Sequence, residues 1–278
     1  MKKQALLFSA IVLVMVLVVS PAQATPVATV STSSTFDVYS SDSDSDTSFD
    51  ALIPAEAHAL AEAPYDYYEA KSDALASIGG SVKAYSRASG YDNETISATA
   101  NASSTSEWLI TSNTLPLSTS INILMDISFN GKLGCYFTST TYAAASASFS
   151  VDDSSLYEAT GIYSNGSTMD STGAWIGDFT KSGWYYVLDT TDRVAFEAVV
   201  GQTITVTLSL GTDVYLPNAN ETSATADFFD SGQHTFFGAE DPLNPGTMLD
   251  VDFEMVPEPA TLLLLGLGGL GLIRKRRI

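Results

Sequence analysis

Positive charge is scarce in this 278-residue chain, which holds 12 Lys and Arg against 32 Asp and Glu. Between Thr25 and Val256 only Lys71, Lys83, Arg87, Lys132, Lys181 and Arg193 remain, six cations against 31 acids. A surface so acidic repels phosphates and attracts divalent cations, which excludes a nucleic-acid partner. Cysteine is nearly absent. Cys135 is the only one, so no disulfide framework is available and the fold must be held by its core. Its flanks, GKLGCYFTST, predict a buried, inert thiol, with no neighbouring base to activate it as a nucleophile. Histidine is confined to His58 and His234. A Ser-His-Asp triad would have to use one of them, and no G-x-S-x-G elbow marks a serine. Paired carboxylates for glycoside hydrolysis carry no information here, because 31 acids make some close pair inevitable. The expectation is a body that is not an enzyme.

The two ends of the chain are more explicit. Lys2 and Lys3 precede the apolar run Ala5 to Val19, and Ser20-Pro21 breaks it. Ala22-Gln23-Ala24 then offers the small-x-small cleavage site of a secretory signal peptide, with Ala22 and Ala24 as the small residues. At the other end, Pro257 and Pro259 flank Glu258 and keep the backbone extended, since each fixes φ and lacks an N–H. Thr261 to Ile273 follows, apolar, uncharged and rich in glycine. As a helix it reaches about 20 Å, short of the roughly 30 Å hydrocarbon core. Arg274, Lys275, Arg276 and Arg277 then form a basic stop that holds the terminus on the cytoplasmic side.

Pro257-Glu258-Pro259, a short Leu/Gly helix and an Arg-rich end, in that order, resemble the PEP-CTERM sorting signal of Gram-negative bacteria. The resemblance covers Val256 to Arg277. It implies an exosortase as partner, a membrane transpeptidase-like enzyme acting near Pro257-Glu258-Pro259. It also implies a precursor held in the inner membrane by the C-terminal helix, and delivery to the cell surface or extracellular matrix. A looser resemblance runs from Trp108 to Val256, carried by DFTKSGWYYVLDTTDRVAFEAVVGQTITVTLSLGT and SATADFFDSG. It is to the jelly-roll-like β-sandwich domains common in PEP-CTERM proteins, and it implies fold without activity.

Residues 25–64 read as an acidic Ser/Thr/Asp-rich linker, with too few large apolar groups to offset the entropy of ordering. Within it, Asp42, Asp44 and Asp46 have the opening spacing of a calcium loop. Thr47 and Ile53 then stand where the loop needs its turn glycine and bidentate Glu. IPAEAHALAEA predicts a short helix stopped by Pro64, with His58 exposed on it.

From about Tyr65 the pattern is strands. GQTITVTLSLGTD puts Ile204, Val206, Leu208 and Leu210 on one side, with Thr203, Thr205 and Thr207 on the other. No neighbouring segment visibly repeats the threonine pattern, so solvent-facing threonine is the expectation rather than an ice- or glycan-binding face. Asn130-Gly131 predicts a hairpin and Asp152-Asp153 a turn. Trp175, Trp184, Tyr185 and Tyr186 cluster as candidate sugar-stacking rings, most of them expected in the core. Glu240, Asp241, Asp250 and Asp252 carry enough charge for a Ca²⁺ site but no motif.

The predicted architecture is all-β, an antiparallel two-layer, jelly-roll-like β-sandwich. It spans residues 65–255, between a signal peptide (1–24) with its linker and a sorting signal (256–278) with a short transmembrane helix. The predicted function is that of an exported, exosortase-sorted surface or matrix protein with a non-catalytic sandwich. Its partners would be exopolysaccharide or matrix proteins, and it needs no cofactor. The alternative is a Ca²⁺-assisted, lectin-like glycan-binding module, with a glycan hydrolase or an ice-binding protein behind it.

Overall fold

A computed structural model describes residues 27–36, 40–49, 54–62, 69–90, 95–136, 141–217 and 222–256. The signal-peptide residues Ala22 and Ala24, the motif Pro257, Glu258 and Pro259, and the basic stop Arg274 to Arg277 lie outside these residues. The first strands are β1 (Val27–Phe36), β2 (Ser40–Ser48), β3 (Ala55–Glu62), β4 (Glu69–Ser77) and β5 (Ser81–Gly90). Next come β6 (Ile96–Thr111), β7 (Ser120–Tyr136), β8 (Tyr142–Val151), β9 (Ser154–Ser164) and β10 (Thr168–Gly173). The last are β11 (Thr180–Ser182), β12 (Tyr185–Val199), β13 (Thr203–Leu216), β14 (Thr222–Glu240), β15 (Met248–Leu249) and β16 (Asp252–Met255). No helix occurs among the described residues.

Every pairing is antiparallel, and the strands form two eight-stranded sheets. One, sheet A, runs β10-β9-β8-β13-β6-β1-β2, with β16 also on β6. The other, sheet B, runs β11-β12-β7-β14-β5-β4-β3, with β15 also on β14. This is the expected all-β sandwich. Strict alternation builds it: Ile204, Val206, Leu208, Leu210, Thr212, Val214 and Leu216 of β13 are all buried, and Thr203, Thr205, Thr207 and Ser209 face out. The interior is graded. Large side chains (Phe129, Phe149, Phe228, Trp175, Ile123, Met125) fill the half around β7, β8 and β14, while Ala57, Ala59, Ala70, Ala74 and Ser72 line the half around β3 and β4.

The two open sides of the sandwich are closed differently. Beyond β10, Trp175 turns inward, fully buried, stacked on Phe228 (centroids 5.7 Å, 18°) and edge-on to Phe129 (5.6 Å, 79°). On the opposite side, β2 of sheet A faces β3 of sheet B. There the N–H groups of Leu60, His58 and Glu56 donate to Asp42 Oδ2 (3.0 Å), Asp44 Oδ2 (3.1 Å) and Asp46 Oδ2 (3.2 Å). The other oxygen of each carboxylate accepts from the next residue's N–H: Ser43 at 2.9 Å, Ser45 and Thr47 at 2.8 Å. The carboxylates stand where a neighbouring strand's carbonyls would stand, so three aspartates at period two act as a side-chain ladder.

Three expectations are corrected here. Residues 27–36, 40–49 and 54–62 are not a loose linker: β1 is buried between β2 and β6, and β2 is ordered by the aspartate ladder instead of by apolar burial. The predicted helix at IPAEAHALAEA is strand β3. Its alanines recur at period two, Ala55, Ala57 and Ala59 are buried, and tertiary packing overrides alanine's helix propensity. Asn130-Gly131 makes no hairpin, because β7 runs straight through it. The Phe228 ring occupies the space that a Cβ at Gly131 would fill, opposite an irregularity in β14 between Phe228 and Gly232. Asp152 and Asp153 do form the expected turn, with φ of 47° and 63°.

Both ends of the body lie in one lane beside β6. Strand β16 pairs Asp252 with Thr111 and Met255 with Trp108, and β1 begins by pairing Val27 with Thr105. The Val256 N–H donates to the Glu107 carbonyl at 2.9 Å, in the gap between them.

Candidate functional site

The outer faces of the two sheets differ in chemistry. All six cations between Thr25 and Val256 lie on strands of sheet B: Lys71 on β4, Lys83 and Arg87 on β5, Lys132 on β7, Lys181 on β11, Arg193 on β12. Five of them sit over aromatic rings, the closest being Arg193 over Phe237 at 3.5 Å. Arg193 also forks onto Asp126 (2.7 and 3.0 Å), and this hydrogen-bonded pairing lowers the Asp126 carboxyl below its ordinary range.

The sequence-flagged rings divide. Trp175 is buried and Tyr186 is half-buried against Tyr163, as core residues should be. Trp184 and Tyr185 are exposed, 62% and 41%, at the tip and shoulder of the β11–β12 hairpin. Tyr136, at the end of β7 and itself exposed, meets Trp184 edge to face (5.3 Å, 73°). The Tyr185 ring lies where a Cβ of Gly134 would be, which presses it flat on the sheet. Beside it the Lys132 ammonium reaches over Tyr185 (5.5 Å) and pairs with Asp227 (3.1 Å). Three rings and one ion pair thus form an open notch on sheet B. The sequence held Trp184 and Tyr185, but Tyr136 was missed, being 48 residues upstream and joined to them only by the β7–β12 pairing.

Sheet A carries no cation and few rings. Its outer face is hydroxylated in rows that cross the strands. One row runs Ser31, Asn101, Gly211, Ser146, Thr160 and Thr172, on six successive strands. The next runs Thr29, Ser103, Ser209, Ser148. Neighbours bond sideways: Ser103 to Ser209 at 2.9 Å, Thr105 to Thr207 at 3.1 Å, Thr160 to Thr172 at 2.6 Å. Between the rows lies a shallow groove of about 350 Å³, lined by Ser31, Asn101, Ser146 and Gly211 among others. Of the three outward β13 threonines only Thr207 meets another, Thr105 on β6, while Thr203 and Thr205 lie opposite Leu109 and Glu107. The threonine pattern itself does not repeat across the sheet, and the mixed hydroxyl rows were illegible in the sequence because of distance: the partners of Thr207 and Ser209 lie 102 and 106 residues away on β6.

The other candidates are scattered. His58 is exposed and its Nδ1 lies 2.7 Å from Asp73 Oδ1. His234 faces the interior against Phe149, neither ring nitrogen has a partner, and burial pushes its pKa down to about 4. Cys135 is buried, its thiol donates to the Thr141 carbonyl (3.4 Å), and burial pushes its pKa up. Asp241 caps its own turn, accepting from the Leu243 N–H and the Asn244 side chain, and those bonds lower its pKa. Among the described residues no three His, Cys, Asp or Glu side chains converge as metal ligands.

The last described residue, Val256, opens the segment that settles the sorting question. Residues 256–277 match the family described as the PEP-CTERM protein-sorting motif. The chain carries a PEP-CTERM sorting motif. Its β-sandwich body stops where the motif begins, with Val256 alone between β16 and Pro257. A PEP-CTERM tail is a substrate for exosortase, so the protein is an exported, membrane-anchored precursor that is sorted to the cell surface. No curated protein and no solved structure matches the chain.

Proposed function

We propose that the body of this PEP-CTERM protein is a non-catalytic adhesion module that contacts exopolysaccharide of the surrounding matrix. The observation that carries this reading is the exposed notch of Trp184, Tyr136 and Tyr185 beside the Lys132–Asp227 pair. A flat ring stacks on the apolar face of a pyranose, and a cation and a carboxylate side by side suit its hydroxyls. An open notch with no enclosing walls grips a passing polymer instead of enclosing a reacting bond. The test is retention of the full chain by immobilised polysaccharides on a glycan array, with calcium and with chelator. Trp184→Ala should lower affinity at least about tenfold, which is about 1.4 kcal/mol. Equal retention of wild type and variant, or silence of both across the array, refutes the reading.

The hydroxyl rows of sheet A favour a second reading, a face that orders water at the strand spacing of about 4.8 Å, as ice binding requires. Thermal hysteresis that disappears in Ser148→Tyr and survives in Trp184→Ala would favour it over the first.

A further inference from the structure

Five of the six cations on sheet B are accounted for by their neighbours. Lys71 pairs with Asp73 (3.0 Å), Lys132 with Asp227 (3.1 Å) and Arg193 with Asp126, while Lys83 and Lys181 lie over aromatic rings. The sixth is Arg87, exposed on β5, which among the described residues enters no ion pair and lies over no ring. Its charge acts on the neighbouring Tyr85, whose pKa burial raises and Arg87 draws back. Glu69 stands on the diagonal, opposite Ser89, and makes no ion pair with it. Strand pairing instead sets Arg87 directly opposite Lys71, a like-charge arrangement that costs stability. Packing gives no reason for that cost.

The place of Arg87 ties it to the ring notch. Tyr185, Gly134, Thr225, Arg87 and Lys71 form one row across β12, β7, β14, β5 and β4. The Tyr185 ring covers Gly134, so Thr225 is the only side chain in the row between that ring and the guanidinium. Three strand spacings, about 14 Å, separate β12 from β5, the length of a few pyranose units. We propose that this row is the track of an acidic polysaccharide, with one sugar stacked in the notch and a carboxylate farther along the same polymer held by Arg87. The guanidinium is a planar fork that takes a carboxylate through two parallel hydrogen bonds, and Lys71 opposite adds positive potential. A polyuronate repeats its carboxylate along the chain, so ring and fork are met together without a defined polymer end. The body as a whole is acidic, but at physiological salt charges beyond about 8 Å are largely screened. Sheet A, which has no cation, faces the other way. The inference rests on the polysaccharide reading of the notch and adds to it the charge of the polymer.

The test compares polygalacturonate and alginate with the same polymers after their carboxylates are reduced to alcohols. Binding to the detergent-solubilised full chain is measured at physiological salt with chelator, so that calcium cannot bridge acid to acid. Wild type should bind the acid form of at least one polymer at least about tenfold more tightly than its reduced form, as a hydrogen-bonded charge pair gives. Arg87→Gln should bring that ratio to within about twofold of one. Lys83→Gln removes the same charge about 13 Å away along β5, off the row, and should leave the ratio as it is. Trp184→Ala should weaken both forms and keep the ratio. A wild-type ratio near one, with both forms bound, overturns the inference and leaves the polysaccharide reading standing. A ratio that survives Arg87→Gln, or that falls equally in Lys83→Gln, overturns it in the same way. Silence towards both forms of both polymers also overturns it, and the neutral glycans of the array then decide the polysaccharide reading separately.

Discussion

His234 should make this protein sensitive to acid in a way that one substitution removes. The ring is 5% exposed, packed on Phe149 and on Gly80, where a Cβ would fall inside it, and neither nitrogen has a partner. Charging it in place means putting an imidazolium among aromatic rings with nothing to solvate it. Its pKa is pushed from the ordinary 6.5 down to about 4. With the folded value below the unfolded one, the unfolded chain takes up the proton first. Stability from this residue is therefore intact above about pH 6.5 and lost as pH falls, levelling off below about pH 4. At about 1.36 kcal/mol per unit the full loss is about 3 kcal/mol, with about 2 kcal/mol already gone at pH 5. The assay is urea unfolding of wild type and His234→Leu at pH 7, 5.5 and 4.5. Because carboxylates titrate in both proteins, the pH dependence of the difference isolates the histidine. The gap should move towards the variant by about 2–3 kcal/mol between pH 7 and 4.5. Parallel curves, or an NMR titration of the His234 ring with a midpoint near 6.5, would refute the reasoning.

Other perturbations follow from the same packing. Phe228→Ala removes a buried ring that Trp175 stacks on and Gly131 makes room for, and should cost about 3–5 kcal/mol in urea unfolding. Cys135 should resist an added thiol reagent in the native protein and react fully in urea, since burial raises its pKa and hides its sulfur. Replacing Pro257, Glu258 and Pro259 by alanines should leave export intact. The tail should then keep the precursor in the inner membrane, read by mass and fractionation, and unchanged surface display would count against exosortase processing.

The sandwich was legible wherever burial alone decides a strand. In β13, alternation gave both the inward aliphatic row and the outward threonines, and β8 could be read from its small residues in the same way. Where the deciding contact is remote, the sequence is silent. Nothing near Asp42 announces that Leu60 will donate to it, so a polar, acidic stretch resembled a disordered linker. Alanine at period two in β3 is read against its helix propensity until the narrow gap to β1 and β4 is known, where Ser34 bonds to Ser72 at 3.0 Å. Asn130-Gly131 carries a turn signal that the packing of Phe228 overrides. The candidate site was half legible for the same reason: Trp184 and Tyr185 are adjacent in sequence, but Tyr136 joins them only through strand pairing.

Strands β16 and β1 are collinear beside β6, separated by the two positions opposite Ser106 and Glu107. Fused tail to head, they would read as one uninterrupted strand, so the chain is nearly a closed loop that happens to be cut there. A rearranged gene that joins Val256 to Val27 through a short bridge and opens new ends at the Asp152-Asp153 turn should yield the same sandwich. This geometry means that the chain enters and leaves the body at one spot, beside Thr105 and Glu107 of β6. A cut close to one end of the body would fall beside the other, on sheet A, with the ring notch on sheet B.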